Sequence, residues 1–287
     1  MTGQLNIPPQ VLALLAFFCG ILSGVFLKGV APEISGEAIA LRTFIAFAIL
    51  AIAVMLWPQP SGNRMGRIGF MRAVLDAIGG LSFALAIFNL PLSLLASILA
   101  TLPIVSVALS ALILSEPLSR RTMYALTLAF AGTLLILKPG LSFSTLGVML
   151  ALISTLSYAL RDIATRRLHP DVDPRNVILL SLAFVTVAAL SLVPLPSWDM
   201  PSSKDAVLIA LGGVTALGST FLIVHALRQA TINQIAPLRY TSVFWALIFD
   251  AAIWGFVPGP IAWCGIVMIL AAGVLQHTKH RQGKALK

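Results

Sequence analysis

The feature that most constrains this chain is a series of ten apolar stretches, each close to the length needed to cross a bilayer as a helix. They fall into two sets of five. Because five is an odd number, the second set is inverted relative to the first, an arrangement that is common in secondary transporters. The sequence predicts an all-α integral membrane protein with inverted five-helix repeats at residues 1–141 and 142–287. The predicted spans are 10–28, 37–57, 68–89, 93–115, 121–138, 145–165, 176–194, 205–228, 232–254 and 260–277.

Composition excludes a soluble domain and argues against a nucleic-acid-binding one. Apolar residues make up 59% of the chain and charged residues only 10%, against about 25% charged residues in soluble proteins. Lipid must therefore solvate most of the surface. The net charge of +9 comes from short loops between apolar segments, and not from one basic face or tail, so we expect no nucleic-acid partner. The first apolar run lacks a small-residue cleavage site and is expected to be retained.

The basic residues predict an orientation, because cytoplasmic loops of membrane proteins are rich in Lys and Arg. Fourteen lie on one side of the predicted spans: Arg64, Arg67, Arg72, Arg120, Arg121, Arg161, Arg166, Arg167, Arg175, Arg228, Lys279, Arg281, Lys284 and Lys287. Three lie on the other side: Lys28, Lys138 and Lys204. The sequence therefore predicts a multi-pass protein of the inner or plasma membrane with both termini, including a short basic tail, in the cytoplasm.

Motifs for enzymatic chemistry are absent from the sequence. There is no GxxxxGK[ST] phosphate loop, so ATP is not expected to drive the protein directly. HExxH, paired CxxC and GxSxG are also missing, and Cys19 and Cys264 stand alone. We expect no cofactor, no metal and no enzymatic activity, with energy from an ion gradient, from exchange or from the substrate gradient.

Several stretches resemble the EamA-domain branch of the drug/metabolite transporter superfamily, in an order that covers about residues 12–278. They are Leu102-Pro103 through Ser115-Glu116-Pro117-Leu118-Ser119-Arg120-Arg121, Ala131-Gly132-Thr133-Leu134, Tyr158-Ala159-Leu160, Thr165-Arg166-Arg167-Leu168, Ala226-Leu227-Arg228-Gln229-Ala230, Ala236-Pro237-Leu238-Arg239-Tyr240 and Trp245-Ala246-Leu247. The resemblance implies a ten-helix carrier of small organic molecules that works by alternating access. One departure is Gly255-Phe256, where the family commonly has Gly-Glu, so Glu116 has no acidic counterpart in the second half.

Arg239 and Asp76 are the charged residues predicted to lie deepest in the membrane, both on the cytoplasmic half. A charge at that depth costs at least about 2.5 kcal/mol and needs a partner. Arg239 either binds an anionic substrate group, pairs structurally or extends to the interface. Asp76 either pairs with Arg239 across the two halves or with Arg72 one helical turn away. Asp76 is also the candidate for proton coupling, because burial disfavours a charged carboxylate.

Other polar residues in the spans have simpler expected roles. Arg42 is close enough to the outer end of the second span to extend to the interface, and Asp250 is expected to reach interfacial water. Arg161 and Asp162 are expected to form a local ion pair near the cytoplasmic end of the sixth span. His225 is a second candidate for proton coupling, although a lone His more often only donates a hydrogen bond.

Aromatic residues and helix-breaking residues complete the candidate site. Tyr158, Tyr240 and Trp245 fall within spans and not at the interfaces where Tyr and Trp usually gather. They are predicted to line a central cavity with Asp76 and Arg239, and packing between helices is the alternative. The predicted hinges are Pro103, Gly79, Gly80, Gly212 and Gly213, for which helix packing is again the alternative.

The predicted function is secondary transport of a small organic metabolite, first of all efflux of amino-acid-like or drug-like compounds. Uptake or exchange of a nucleoside-like or vitamin-like metabolite is the alternative. A membrane-embedded enzyme is more remote, because the outer loops lack a cluster of acids or histidines. A channel is also more remote, because inverted halves with kinked helices are typical of carriers. The expected partners are the small-molecule substrate and the lipid bilayer, and a homodimer stays open.

Overall fold

The computed structural model describes residues 7–56, 65–114, 120–136, 144–169, 172–191, 198–230 and 235–277. Within these ranges every regular element is helical, as the sequence predicts. The first half contains α1 (Pro9–Lys28), α2 (Ser35–Leu56), α3 (Gly66–Asn89), α4 (Leu92–Leu99), α5 (Leu102–Leu114) and α6 (Arg120–Ile136). The second half contains α7 (Thr145–Arg166), α8 (Pro174–Leu190), α9 (Ser203–Gln229), α10 (Thr241–Trp254) and α11 (Pro260–His277). Glu116 and the basic tail lie outside the described residues.

Helices occupy each of the ten predicted spans. Five of them are long and apolar enough to cross a membrane by length and composition: α1, α2 together with the short turn before it, α3, α7 and α9. Large apolar side chains such as Met55, Phe130 and Val187 are exposed. Such exposure would be a liability in water and is expected where lipid is the solvent.

The fourth and ninth spans are discontinuous. The fourth is divided between α4 and α5 just before Pro103, whose ring cannot continue a helical hydrogen-bond ladder. Thr101 donates its hydroxyl to the carbonyl of Ile98 at 2.7 Å at this break. In the ninth span the 3-10 turn Ala236–Tyr240 comes directly before the α-helix that starts at Thr241. The two broken spans occupy the same position in the two halves, as expected for repeats whose interrupted helices meet in the membrane.

The packing of the helices follows a twofold pattern that joins the two halves. The first span packs on the eighth (α1 on α9), and the third packs on the sixth (α3 on α7). Exchanging the halves converts one of these pairs into the other. The second span packs on the seventh, the fourth on the ninth and the fifth on the tenth, so these pairs map onto themselves. The two repeats therefore form one interleaved bundle, with their contacts related by a pseudo-twofold axis.

Both predicted glycine hinges lie in unbroken helices. α3 continues through Gly79 and Gly80, and α9 continues through Gly212 and Gly213. A Cβ atom added at Gly79 would lie 2.7 Å from the ring of Tyr158, and one at Gly213 would lie 2.8 Å from the carbonyl oxygen of Arg42. The glycines thus allow neighbouring helices to approach closely, and their role as hinges stays a prediction.

Candidate functional site

A cavity of about 190 Å³ lies between the two halves and is lined by residues of both. Four of its lining residues are charged: Arg42 and Asp76 from the first half, and Arg161 and Arg239 from the second. Each of them would be costly to bury in hydrocarbon without a partner. The remaining polar lining consists of Ser23, Thr43, Tyr158, Ser181, Ser219, Thr220 and Ser242.

Five charged residues form a continuous chain of ion pairs at one side of this cavity, which we call the Asp76 cluster: Arg72, Asp76, Arg161, Asp162 and Arg239. Asp76 lies 3.2 Å from Arg72 and 2.8 Å from Arg161. Asp162 lies 2.7 Å from Arg161 and 3.2 Å from Arg239. Positive and negative groups therefore alternate, and the Asp76–Arg161 pair joins α3 of the first half to α7 of the second.

Neutral side chains fix the geometry of the cluster. Arg72 is 1% exposed and donates to the hydroxyls of Thr165 at 3.1 Å and Ser181 at 2.7 Å. Those hydroxyls donate in turn to helix carbonyls one turn earlier, at 2.8 Å and 3.0 Å. Fully bonded groups of this kind hold a buried guanidinium in one orientation. Arg72 does not itself line the cavity, so it acts as the support of Asp76.

Aromatic rings cover two of the guanidinium groups that line the cavity, those of Arg161 and Arg239. The guanidinium carbon of Arg161 lies 4.3 Å from the centroid of the Tyr158 ring, and that of Arg239 lies 4.9 Å from the Phe17 ring. Cation–π contacts of this length stabilise a cation in a dry environment. They also leave the edges of the guanidinium groups available for hydrogen bonds.

The structure brings three of the five predicted substrate-binding residues to the cavity. Asp76, Tyr158 and Arg239 line it, whereas Tyr240 and Trp245 are not among its lining residues. Trp245 packs edge-on against Phe18 at 5.0 Å. The hydroxyl of Tyr240 is buried without a hydrogen-bond partner in the described part of the chain. Of the two pairings considered for Asp76, the structure has the local one with Arg72, while Arg239 pairs with Asp162.

His225 and the predicted hinges are not among the lining residues of the cavity, apart from Gly80, which lines it. The Nδ1 atom of His225 is 2.8 Å from the carbonyl oxygen of Phe221, and its ring stacks on the Phe221 ring at 4.1 Å. This is the local hydrogen bond considered as the simpler alternative. Pro103 lies at the break between α4 and α5.

Arg42 occupies a different place from the one expected. It does not extend to an interface, because its side chain is buried at 6% exposure and lines the cavity. It donates one hydrogen bond, to the hydroxyl of Ser23 at 3.0 Å. The sequence signal that could have located it is the pair Gly212-Gly213, which leaves room on the facing helix α9 for a large side chain.

Asp250 also departs from expectation, since it is 0% exposed and does not reach interfacial water. Its carboxylate accepts hydrogen bonds from the backbone N–H groups of Leu92 at 3.2 Å and Ser93 at 2.7 Å, and from the Ser93 hydroxyl at 2.6 Å. Lys28 lies 3.4 Å from the same carboxylate and 4.7 Å from the centroid of the Trp254 ring. We call Lys28, Leu92, Ser93, Asp250 and Trp254 the Asp250 cluster.

The Asp250 cluster lies at the opposite end of the bundle from the Asp76 cluster. The helix between Asp76 and Asn89 rises about 20 Å, and Asn89 is followed closely by Leu92 and Ser93. Asp250 supplies from another helix the cap that α4 lacks, because the residue before that helix, Pro91, has no capping side chain. The Lys28–Asp250 pair therefore joins the two halves, as Asp76–Arg161 does at the other end.

Comparisons with known proteins agree with this architecture. The sequence pattern of the EamA-like transporter family matches residues 8–138 and again residues 145–276. The chain is 27% identical to the pseudopaline exporter CntI of Pseudomonas aeruginosa, over 94% of this chain and 96% of that protein. It is 20% identical to an S-adenosylmethionine uptake transporter of Rickettsia prowazekii, over 90% of this chain and 88% of that protein.

A solved crystal structure of another protein shares the fold, with a TM-score of 0.68 at 14% identity, and the match covers 96% of this chain and 98% of the other. The two matches of the family pattern cover most of the chain and fall on its two halves, whose helices interleave around the polar cavity. The chain is a multi-pass membrane protein that belongs to the EamA-like transporter family.

Proposed function

We propose that this protein is a secondary transporter that exports a small, polar, amino-acid-like metabolite by alternating access. The observation that carries the proposal is the cavity, where both repeats place charged side chains in a protein otherwise surrounded by lipid. A volume of about 190 Å³ is below the roughly 300–1,000 Å³ typical of sites for drug-sized ligands. A small metabolite therefore suits the cavity better than a large drug.

Export is preferred over uptake because the relative with 27% identity is named as an exporter. The 20% identical relative is named as an uptake transporter, so uptake or exchange is the second candidate. In the proposed orientation both termini are cytoplasmic, the Asp76 cluster faces the cytoplasm and the Asp250 cluster faces the outside. The inner or plasma membrane is the proposed location.

Asp76, Tyr158 and Arg239 are the proposed substrate-binding residues from the sequence, and the geometry adds Arg161 to them. Asp76 is held by two guanidinium groups within 3.2 Å. A substrate carboxylate that binds Arg161 competes with Asp76 for it, and a proton or an ammonium group competes with the arginines for Asp76. Either event weakens the Asp76–Arg161 link between the halves, which couples binding to their relative movement. Tyr240 and Trp245 do not line the cavity, and they are proposed to affect substrate binding by packing against the residues that do.

Purified protein in liposomes tests the proposal. A thermal-shift screen against amino acids and related metabolites identifies compounds that raise the Tm, and counterflow of each radiolabelled compound then measures exchange. We expect saturable counterflow for at least one compound and its loss in Asp76→Asn. Asp173→Asn is the matched control, because Asp173 also pairs with an arginine, Arg175 at 2.8 Å, but lies away from the cavity. Ion current without saturable exchange would contradict a carrier.

Direction is tested in cells that express the chain. Loaded with the metabolite found by the screen, they are expected to lose it faster than cells that express Asp76→Asn. Faster accumulation from the medium, with no effect on efflux, would replace export by uptake.

A further inference from the structure

Arg42 differs from the other arginines around the cavity because no carboxylate in the described part of the chain pairs with it. Arg72, Arg161 and Arg239 each form at least one ion pair. Arg42 forms none with the acidic residues that the structure describes, and its one hydrogen bond goes to a neutral hydroxyl, that of Ser23. Its Nε atom is buried and has no hydrogen-bond partner among the described residues.

An unpaired guanidinium in this position is unfavourable for the protein alone. Arginine has five N–H donors and stays charged, so it cannot escape the cost of burial by losing a proton. A buried charge without a partner is strongly destabilising, and proteins usually replace or pair it. Arg42 is 6% exposed, so water around the protein does not supply the missing partner. The cavity that it lines is the place from which a partner can come.

The surroundings of Arg42 are shaped for its side chain. A Cβ atom at Gly212 would lie 3.3 Å from the Cδ atom of Arg42, so the side chain lies against a helix surface that carries no side chain there. Ser23 donates its hydroxyl proton to the carbonyl oxygen of Gly212 at 2.9 Å. This bond leaves the oxygen of Ser23 free to accept from Arg42. Residues of α1, α2 and α9 together hold the guanidinium at the cavity wall.

The balance of charge around the cavity also favours an anionic ligand. Four arginines stand in or beside it: Arg42, Arg72 and Arg161 are buried, and Arg239 is partly buried. Only two carboxylates, Asp76 and Asp162, balance them among the described residues. The surplus is two positive charges, four minus two. A ligand with negative charge would remove that surplus, and a planar carboxylate or a phosphate matches the fork geometry of guanidinium.

We propose that Arg42 binds an anionic group of the substrate, a carboxylate or a phosphate, and that the transported metabolite is therefore an anion or carries a free carboxylate. The proposal rests on the transporter function proposed above and names its substrate class. The members of the Asp76 cluster that line the same cavity then contact the remainder of the molecule.

Stability without ligand gives a test that needs no known substrate. Arg42→Met keeps an unbranched apolar side chain and removes a charge that no described carboxylate pairs with, so the Tm of the purified protein is expected to rise by about 2 °C or more. Arg72→Met is the matched control, because it removes an equally buried arginine that is paired with Asp76, and its Tm is expected to fall. A Tm for Arg42→Met that is unchanged or lower than wild type would overturn the proposal.

Binding is tested with inorganic phosphate and with succinate, using succinamide as the uncharged partner of succinate. We expect phosphate or succinate, but not succinamide, to raise the Tm of the wild type, and we expect Arg42→Met to abolish that rise. Equal rises in both proteins, or no rise with either anion in the wild type, would overturn the proposal.

Counterflow distinguishes a failure of the role proposed for Arg42 from a failure of the proposed transporter function. If a metabolite exchanges with the same half-saturating concentration in wild type and Arg42→Met, Arg42 is not its anchor and the transporter function stands. If at least a 10-fold increase accompanies Arg42→Met, the anchor is supported. If no metabolite exchanges in the wild type, the proposed function fails, while the Tm comparison still decides the state of Arg42.

Discussion

The Asp76 and Asp250 clusters perform the same structural task at opposite ends of the bundle, and they do so differently. Each contains an ion pair between the halves, Asp76–Arg161 at 2.8 Å and Lys28–Asp250 at 3.4 Å. In the Asp76 cluster the partners are mostly side chains that line the cavity or support those that do. In the Asp250 cluster the carboxylate mainly accepts from the backbone N–H groups of α4, and its charged members do not line the cavity.

We propose that the Asp76 cluster has a role in substrate binding and that the Asp250 cluster has a role in holding its end of the bundle closed. A group that lines the cavity can exchange a protein partner for a substrate atom, because both are within reach. Asp250 cannot make this exchange, because its carboxylate caps the start of α4. Negative charge is stabilising at the N-terminus of a helix. We therefore expect changes at the Asp76 cluster to act first on transport, and changes at the Asp250 cluster to act first on stability and on the separation of the halves.

The largest expected effect is that of Asp250→Ala. The change leaves the ammonium group of Lys28 without its carboxylate and uncaps α4, so unfolding should become easier by about 3 kcal/mol or more. Thermal unfolding in detergent measures it. Asp199→Ala is the control, since Asp199 is exposed in a loop, and a fall of the same size in both variants would remove the distinction drawn for Asp250.

Arg161→Gln tests the Asp76 cluster, for which we expect an effect on transport first. It breaks the link between Asp76 and α7 but keeps a hydrogen-bonding group, and Arg72 still neutralises Asp76. We expect counterflow to fall at least 10-fold while the Tm falls less than in Asp250→Ala. Asp173→Asn again serves as the control. Normal transport in Arg161→Gln would mean that this cluster is structural.

Gly79→Ala probes the cavity wall without a change in charge. Its Cβ would lie 2.7 Å from the ring of Tyr158, so the ring must move or the helices separate, at a cost of about 1–3 kcal/mol. At neighbouring Gly80 the same atom would meet Tyr158 only at 3.7 Å. We expect a lower Tm in Gly79→Ala and a smaller change of Tm in Gly80→Ala. Similar effects in both variants would favour the hinge role predicted from the sequence over close packing.

Ser93→Ala has the smallest expected effect. It removes one hydroxyl that donates to Asp250 at 2.6 Å, while the two backbone N–H bonds remain. A loss of about 1–2 kcal/mol is expected, which corresponds to a Tm decrease of several degrees at most. Ser97→Ala is the comparison, because the Ser97 hydroxyl bonds only within its own helix, to the carbonyl of Ser93. A larger loss in Ser97→Ala would place the stabilising contact elsewhere.

The helical bundle could be predicted because its signal is repeated along the whole chain. Each span needs about 20 apolar residues whatever its neighbours are, and the odd count in each half predicts the inversion without any contact. The break before Pro103 can likewise be predicted, because one proline is enough to interrupt a helix. The 3-10 turn at Ala236–Tyr240 contains a similar signal in Pro237, but spacing alone makes Arg239 look like a charge inside a regular helix.

The site was predicted in part, for a physical reason. Asp76, Tyr158 and Arg239 were found because polar groups deep in a span need an explanation. The sequence misplaces Arg42 and Asp250, because distance along the chain from the end of a span does not equal distance from water. Both face neighbouring helices: Arg42 lies on the glycine pair of α9, and Asp250 meets the start of α4. Such contacts depend on helix rotation and pairing, which one sequence does not contain.

The most direct test of alternating closure is the distance between spin labels at each end, measured by pulsed electron paramagnetic resonance in nanodiscs, with Cys19 and Cys264 replaced by Ser. One pair, at Gly29 and Val257, spans the Asp250 cluster, and the other, at Arg67 and Arg167, spans the Asp76 end. With Asp250→Asn added, the Gly29–Val257 distance should lengthen and the Arg67–Arg167 distance should stay the same or shorten. Asp76→Asn should have the opposite effect. Distances that lengthen together at both ends, or that do not change in either variant, would contradict the account.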